Sequence, residues 1–298
     1  MGAMSERSEG HRTRPFSPET EADAIGLINS YIDGWPYSRP IDADLVAHWK
    51  TLGERYQPEN MLTAYRAGAP IAFAHGERDR DQFYLHLLAL AAGAVGGGVL
   101  LLGEMEARAR SAGAKRLCGP TALSGRFYGG YVLGLEPYHP HWATDVTDAF
   151  VQASFVISQS EALMVADLTQ SIPRFGPPAG YEIVDGQAEP EFKARVCQLV
   201  ALHSGREVAT CGGRLYPELQ MPTGGPVGQL GFVGTDEAHR GKGLATALVS
   251  RSLARLQEWG ARSILISTGL ENTPALRAYE KAGFRRKHNQ NEWSKALA

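Results

Sequence analysis

The chain of 298 residues has few cysteines, almost no net charge and no paired metal-ligand motif, and each shortage narrows what it can do. Cys118, Cys197 and Cys211 are odd in number and far apart. They exclude a disulfide framework and a zinc knuckle and fit a reducing compartment. Thirty Lys and Arg stand against 32 Asp and Glu, a formal net charge of −2. Without a basic field, nucleic acid is not an expected partner. The opening MGAMSERSEGHRTRP has no apolar stretch and so no secretory signal. The expected location is therefore cytoplasmic. Residues 1–15 read as a polar tail outside the fold.

One long uncharged run is present, FYLHLLALAAGAVGGGVLLLG from Phe83 to Gly103. Its length would suffice for a bilayer. Glycines crowd its second half, however, and Glu104, Glu106, Arg108 and Arg110 follow at once. The run reads instead as a strand with its turn (Phe83–Ala92), a glycine turn (Gly93–Gly98) and a helix (Val99–Ala112), with no membrane partner.

An internal repeat supports this division. A shift of 147 positions carries Gly113, Ala114 and Lys115 onto Gly260, Ala261 and Arg262, and Gly93–Gly98 onto Arg240–Ala245. A shift of 129 carries DAFVQASF (Asp148–Phe155) onto RAYEKAGF (Arg277–Phe284). Several matches in one order predict two copies of one domain. The first copy is read over residues 16–170, a Pro/Gly-rich linker over 171–180, and the second copy over 181–298. In the second copy, a strand ends at Gly231–Thr235. Leu244, Ala247, Leu248, Leu253 and Leu256 then recur at helical spacing up to a stop at Gly260. Ser263–Ile266 is a short strand. Asn272 is the expected N-cap of a second helix, with Pro274 in its first turn and Gly283 at its end.

The chemistry concentrates in that copy. Arg240-Gly241-Lys242-Gly243-Leu244-Ala245 lies between a strand and a helix. Glycines there let a ligand approach the backbone, and free N–H groups with the helix dipole favour an anion such as a diphosphate. Thr246 continues the same turn. Asn272 and Tyr279 are seven residues apart, two turns along one face of the second helix.

With Ala275, Gly283 and Phe284, these residues form N-x-x-A-x-x-x-Y-x-x-x-G-F, about 30 residues after R-x-x-G-x-A. Here the sequence resembles the GNAT superfamily of acyl-CoA N-acyltransferases. The likeness is strong over Gly225–Leu297 and reaches the first half only through the repeat. It implies two tandem α/β domains, each a mixed, mostly antiparallel sheet flanked by helices, as in tandem GNAT enzymes of the mycothiol-synthase type. Periodicity by itself supports only the α/β alternation.

The resemblance further implies acetyl-CoA as acyl-donor substrate, with no metal. It places the diphosphate on Arg240, Gly241, Lys242, Gly243, Leu244, Ala245 and Thr246, and a cofactor contact at Asn272. Val233, Gly234 and Thr235 form the splayed strand end that receives the reacting carbonyl, and Tyr279 is the acid for the departing thiolate. The implied reaction is direct transfer, in a ternary complex, to a primary amine of a small molecule. Where some members carry a basic Glu, five residues before the Asn, this chain has Ser267. Asp236, Glu237, His239 and Glu271 lie near, and no base is assigned. Two rivals stay open: a non-catalytic acyl-CoA sensor, and another acyl-CoA reaction, either O-acyl transfer or malonyl decarboxylation.

The first copy has Phe150 at the position of Tyr279, Ser154 at that of Gly283 and Gly93 at that of Arg240. It reads as a silent copy. Its insertion YGGYVLGLEPYHPHW, Tyr128–Trp142, is aromatic and holds His139 and His141. It is expected as a lid or substrate loop rather than a metal site. Cys211–Gln220 reads as a turn-rich stretch near the acceptor pocket, with Cys211 inert.

Overall fold

The protein is described here by a computed structural model covering residues 11–120, 124–129, 139–140, 142–217 and 224–297. It divides into two compact units. The first comprises Met1–Gly34, Pro40–Gln159 and Asn291–Ala298; the second comprises Trp35–Arg39 and Ser160–Gln290. In chain order the first contains β1 (His11–Pro15), α1 (Glu21–Tyr31), α2 (Ala43–Trp49), β2 (Met61–Arg66), β3 (Ala69–Asp79), β4 (Gln82–Leu90), α3 (Val95–Ser111), β5 (Arg116–Gly119), α4 (Gly125–Tyr128), β6 (His139–Pro140) and α5 (Thr144–Gln152). Strand β7 (Val156–Asp167) starts in the first unit and ends in the second. Then follow β8 (Glu182–Asp185), β9 (Arg195–His203), β10 (Arg206–Leu215), β11 (Val227–Thr235), α6 (Leu244–Glu258), β12 (Ser263–Gly269), α7 (Thr273–Ala282) and β13 (Arg285–Ala296).

Each unit is built on one plan. In the first the strand order is β1-β2-β3-β4-β5-β13, antiparallel except for the parallel pair β4–β5. In the second it is β7-β12-β11-β10-β9-β8, antiparallel except for the parallel pair β11–β12. A parallel pair needs a crossover, which α3 and α6 provide. The two final strands are exchanged along the sequence. Residues 161–167 of β7 pair with β12, whereas Trp293–Ala296 of β13 pair with β5. The compact units therefore cut across the sequence copies. Residues 160–170 pack with the second, and Asn291–Ala298 with the first. Nothing in the local sequence signals the exchange, because both strands follow the last helix of their own copy.

Two expectations change in the first unit. His11–Pro15, read as tail, forms β1, paired from His11↔Arg66 to Pro15↔Leu62. It is a largely exposed edge strand, so it lacks the apolar alternation that marks a strand in sequence. The glycine turn at Gly93–Gly98 is also shorter than expected, since α3 begins at Val95. A Cβ on Gly97 would lie 2.9 Å from Ile71, and one on Gly98 would lie 2.9 Å from Ala149. These glycines let α3 press against β3 and α5. The run Phe83–Gly103 is thus part of β4, a turn and the first half of α3. No helix among the described residues is long and apolar enough to cross a membrane.

The helix ends record the repeat in backbone geometry. After α3, Gly113 N–H donates to Arg110 and Ala114 N–H to Ala109. After α6, Gly260 N–H donates to Gln257 and Ala261 N–H to Leu256. Both are Schellman caps on a left-handed glycine, φ 72° and 98°. The ends of α5 and α7 match likewise, through Ser154 to Val151 and Phe155 to Phe150, and through Gly283 to Glu280 and Phe284 to Tyr279. Gly283 has φ 107°, but Ser154 must hold φ 62° with a side chain. Left-handed backbone costs an L-residue about 1–2 kcal/mol. Ser154→Gly is therefore expected to raise stability by about 0.5–1 kcal/mol in urea melts, after glycine's larger unfolding entropy is subtracted.

The core of the second unit lies between α6, α7 and one face of its sheet. Leu248, Leu253 and Leu256 of α6 meet Cys197, Leu199 and Ala201 of β9, Leu230 of β11, Ile264 and Ile266 of β12, and Met164 and Ala166 of β7. Each fully buried leucine contributes about 1.5–3 kcal/mol. This packing fixes α6, and with it the loop at its N-terminus.

Candidate functional site

Strands β11 and β12 pair only at Val227↔Ser263, Gly228↔Ile264 and Gln229↔Leu265. Beyond that point both continue, to Thr235 and Gly269, without pairing. On its other side β11 stays paired to β10, with a register shift between Thr210↔Gly234 and Gly212↔Gly231. The bulge falls at Phe232, which has φ 54° and is 80% exposed. A bulky residue with positive φ is strained, and a bulge re-aims the backbone beside it. Val233, Gly234 and Thr235 follow it along the open edge.

At the end of this edge the chain turns into α6. Arg240 Nε donates to the Thr235 carbonyl at 3.2 Å and holds the turn to the strand end. Gly241 and Gly243 have φ 76° and 87°, and a Cβ on either would meet nothing within 4 Å. Gly243 is the N-cap of α6 and offers no capping side chain. The first bond into the helix is Ala247 N–H to Gly243 at 3.1 Å. Among the described residues, the N–H groups of Gly241, Lys242, Gly243, Leu244, Ala245 and Thr246 have no acceptor. Exposed Lys242 stands with its Nζ 5.8 Å from the Tyr181 ring, and Tyr181 Oη lies 2.9 Å from His239 Nδ1. The loop is thus an open N–H cradle at the positive end of a helix with cationic side chains beside it. It fits a diphosphate.

The second helix of the motif, α7, packs against α6. Asn272 caps α7 as expected, accepting from Ala275 N–H at 3.3 Å, and its Nδ2 donates to Thr268 Oγ1 at 3.2 Å. Both ends of the side chain are occupied by the fold. Tyr279 is 5% exposed and packs with Phe284, ring centroids 6.1 Å apart. Its hydroxyl has no hydrogen-bond partner among the described residues. Burial first, then the nearby Cys211 and Glu161, raises its pKa above the ordinary phenol value. Cys211 is buried in β10, where it accepts a hydrogen bond from Ser252, and burial pushes its thiol up to about 12. Cys211–Leu215 is strand, not turn; residues 218–220 of that stretch lie outside the described residues.

The corresponding region of the first unit is filled from within. The Gly93 N–H, before α3, donates to the Asp145 carboxylate at 2.8 Å, so a side chain takes the place an anion would have. Strands β4 and β5 pair from Gln82↔Arg116 to Tyr84↔Cys118. Just beyond, β4 bulges at His86, where His75↔Leu87 gives way to Gly76↔Leu85. Here His86 Nε2 lies 3.0 Å from the Glu77 carboxylate and His75 Nδ1 2.8 Å from Tyr128 Oη, with all four residues buried. Phe127 covers both imidazoles at 4.5 and 4.6 Å, and its carbonyl accepts from Trp49 Nε1 at 2.7 Å. Burial and the neighbouring His86 hold His75 well below the ordinary histidine value. Phe150 stacks on Trp293 at 5.2 Å and 5°. Sequence reading finds Phe150 but misses the His75–Tyr128 cluster and Asp145, whose partners are far apart along the chain. Most of the Tyr128–Trp142 insertion, including His141, lies outside the described residues.

Residues 164–284 match the Acetyltransferase (GNAT) family. Among curated proteins, a mycothiol acetyltransferase of Cellulomonas flavigena is 29% identical over 154 residues, 50% of this chain and 44% of that one. A mycothiol acetyltransferase of Thermobispora bispora is 40% identical over 62 residues, 21% of each chain. The chain spans less than half the length of these curated relatives. Among solved structures, a GCN5-related N-acetyltransferase from Sphaerobacter thermophilus superposes with TM-score 0.69 at 18% identity, covering 96% of both chains. A tandem GNAT protein from the clavulanic acid biosynthesis pathway gives 0.67 at 15%, covering 97% of this chain and 99% of that one. Residues 164–284 thus carry a match to the GNAT acetyltransferase family, and nearly the whole length shares the fold of tandem GNAT structures.

Proposed function

We propose that the chain transfers an acetyl group from acetyl-CoA to a primary amine of a small molecule, directly and in the second unit alone. The observation that carries this reading is the splay of β11 from β12, with the open N–H cradle at the end of β11. The backbone N–H groups of Gly241–Thr246, with Arg240 and Lys242, would hold the diphosphate of acetyl-CoA. Its thioester, when bound, supplies the activated acyl group. Backbone N–H groups along Val233–Thr235 would stabilise the negative charge that develops on the acyl oxygen. The amine nitrogen bonds to the acyl carbon as the carbon–sulfur bond breaks. Tyr279 gives its proton to the leaving sulfur and recovers one from the nitrogen. Asn272 serves by positioning α7, since its side chain is committed to the cap and to Thr268. No metal is required by these residues.

The mycothiol acetyltransferase relatives make a small-molecule acceptor the natural class. The test is to mix the protein with acetyl-CoA and primary amines and to follow free thiol and N-acetylated product together. One thiol per acetylated amine supports transfer. Thiol release that no amine accelerates contradicts it.

A further inference from the structure

We infer that the first unit carries an acid-operated latch. The buried imidazoles of His75 and His86 share one carboxylate, Glu77, and a proton on His75 loosens α2 and α4 from the sheet while the packing of α6 in the second unit is kept.

The latch sits on the sheet face away from α3. A Cβ on Gly76 would lie 3.0 Å from Met105 Sδ of α3, so Gly76 faces that helix. Its neighbours His75 and Glu77 therefore point to the other face. There Trp49 of α2 and Phe127 and Tyr128 of α4 pack around the His75 ring. The His86 ring lies beside it, with centroids 5.1 Å apart. Both imidazoles are 0% exposed.

These side chains also hold α4 in place. The bond between His75 Nδ1 and Tyr128 Oη, at 2.8 Å, ties it to β3. Ser124 Oγ, at its N-cap, donates to the His86 carbonyl at 3.0 Å and ties it to β4. The Trp49 indole donates to the Phe127 carbonyl, so α2 follows α4.

The charge available does not match the number of imidazoles. Glu77 is the only buried carboxylate among the described residues of the first unit. It lies 3.0 Å from His86 Nε2, so an imidazolium there is compensated. His75 has no such partner. Its Nδ1 faces a phenol, and its Nε2 has no hydrogen-bond partner among the described residues. Met61 is its register partner on β2 and Leu87 on β4, and Thr63 follows on the same face of β2. None of these carries charge. Burial raises the Tyr128 phenol well above its ordinary value, so it stays neutral too. A second imidazolium would be buried beside the first without a counter-charge, which is strongly unfavourable. It becomes tolerable once α4 and α2 move away and admit water.

The sign follows from the direction of the shift. Burial, and then His86, hold His75 well below the ordinary histidine value. In the opened state the ring regains about 6.5. The stability that neutral His75 lends the closed state is complete above about pH 6.5, and below it the closed-to-open ratio falls about tenfold per pH unit. The core under α6 and α7 contains no histidine among its described residues, so it lacks this dependence.

The test is hydrogen exchange by mass spectrometry on the intact chain at pH 7.5 and 5.0, corrected for the intrinsic pH dependence of exchange. Protection of α2 and α4 is expected to fall about 30-fold, the loss for one such imidazole, while α6 changes by less than about threefold. His75→Gln still offers Tyr128 a polar partner but binds no proton in this range, so its loss should stay under about threefold. Glu77→Gln removes the shared carboxylate and should start the loss at higher pH. Carbon-13 shifts of the histidine rings report protonation in wild type, however the variants fold, and His75 should remain neutral while α4 is protected. Protection of α2 and α4 that is unchanged at pH 5.0 overturns the inference. So does a charged His75 under a protected α4, a full loss in His75→Gln, or an equal loss in α6.

Discussion

Tyr279→Phe lowers kcat for amine acetylation by about 10²- to 10⁴-fold, the range for losing a positioned general acid, while acetyl-CoA affinity stays within about twofold. The removed hydroxyl has no hydrogen-bond partner among the described residues, so the variant loses no internal bond and keeps the ring packed on Phe284. The effect is then on chemistry and not on folding. Burial, with Cys211 and Glu161 nearby, raises the phenol pKa, so the protonated and active form persists to higher pH than in a free tyrosine. For this acid kcat should stay level to at least about pH 10, the ordinary phenol value. Steady-state rates across pH check both statements. Full turnover in Tyr279→Phe would remove Tyr279 from the mechanism and favour a reaction that needs no acid at the sulfur, such as decarboxylation.

Gly243→Glu abolishes acetyl-CoA binding, a loss of at least about 100-fold in affinity, whereas Gly96→Glu leaves it unchanged. Gly243 has φ 87°, so any side chain there costs about 1–2 kcal/mol of strain. Glutamate also brings a negative charge to the N–H groups at the start of α6, where the diphosphate would bind. Gly96 aligns with Gly243 in the repeat but lies in the first turn of α3, facing open space without positive φ. A glutamate near a helix N-terminus is favourable, and the exchange gains up to about 1 kcal/mol in helix propensity. Titration of both variants separates the cases. Comparable losses would mean that the first unit also holds acetyl-CoA.

Much of this was legible in the chain because it is written locally. The stop at Gly260, the cap at Asn272 and the glycines of the α6 loop each act on the next few residues, and the two copies carry the same stops. The expectation that the first copy is silent rests on Phe150 at the position of Tyr279. The filling of its corresponding region was not readable, since Asp145 reaches Gly93 from α5 and His75, His86 and Tyr128 meet from separate elements. Strand exchange was hidden for a similar reason: β7 and β13 are strands in either pairing, and only the sheet decides which edge each joins.

The measurement that bears most directly on a single working half is calorimetric titration of the intact chain with acetyl-CoA. One site per chain is predicted, lost in Gly243→Glu. Two sites per chain, or one site that survives Gly243→Glu, would contradict the account.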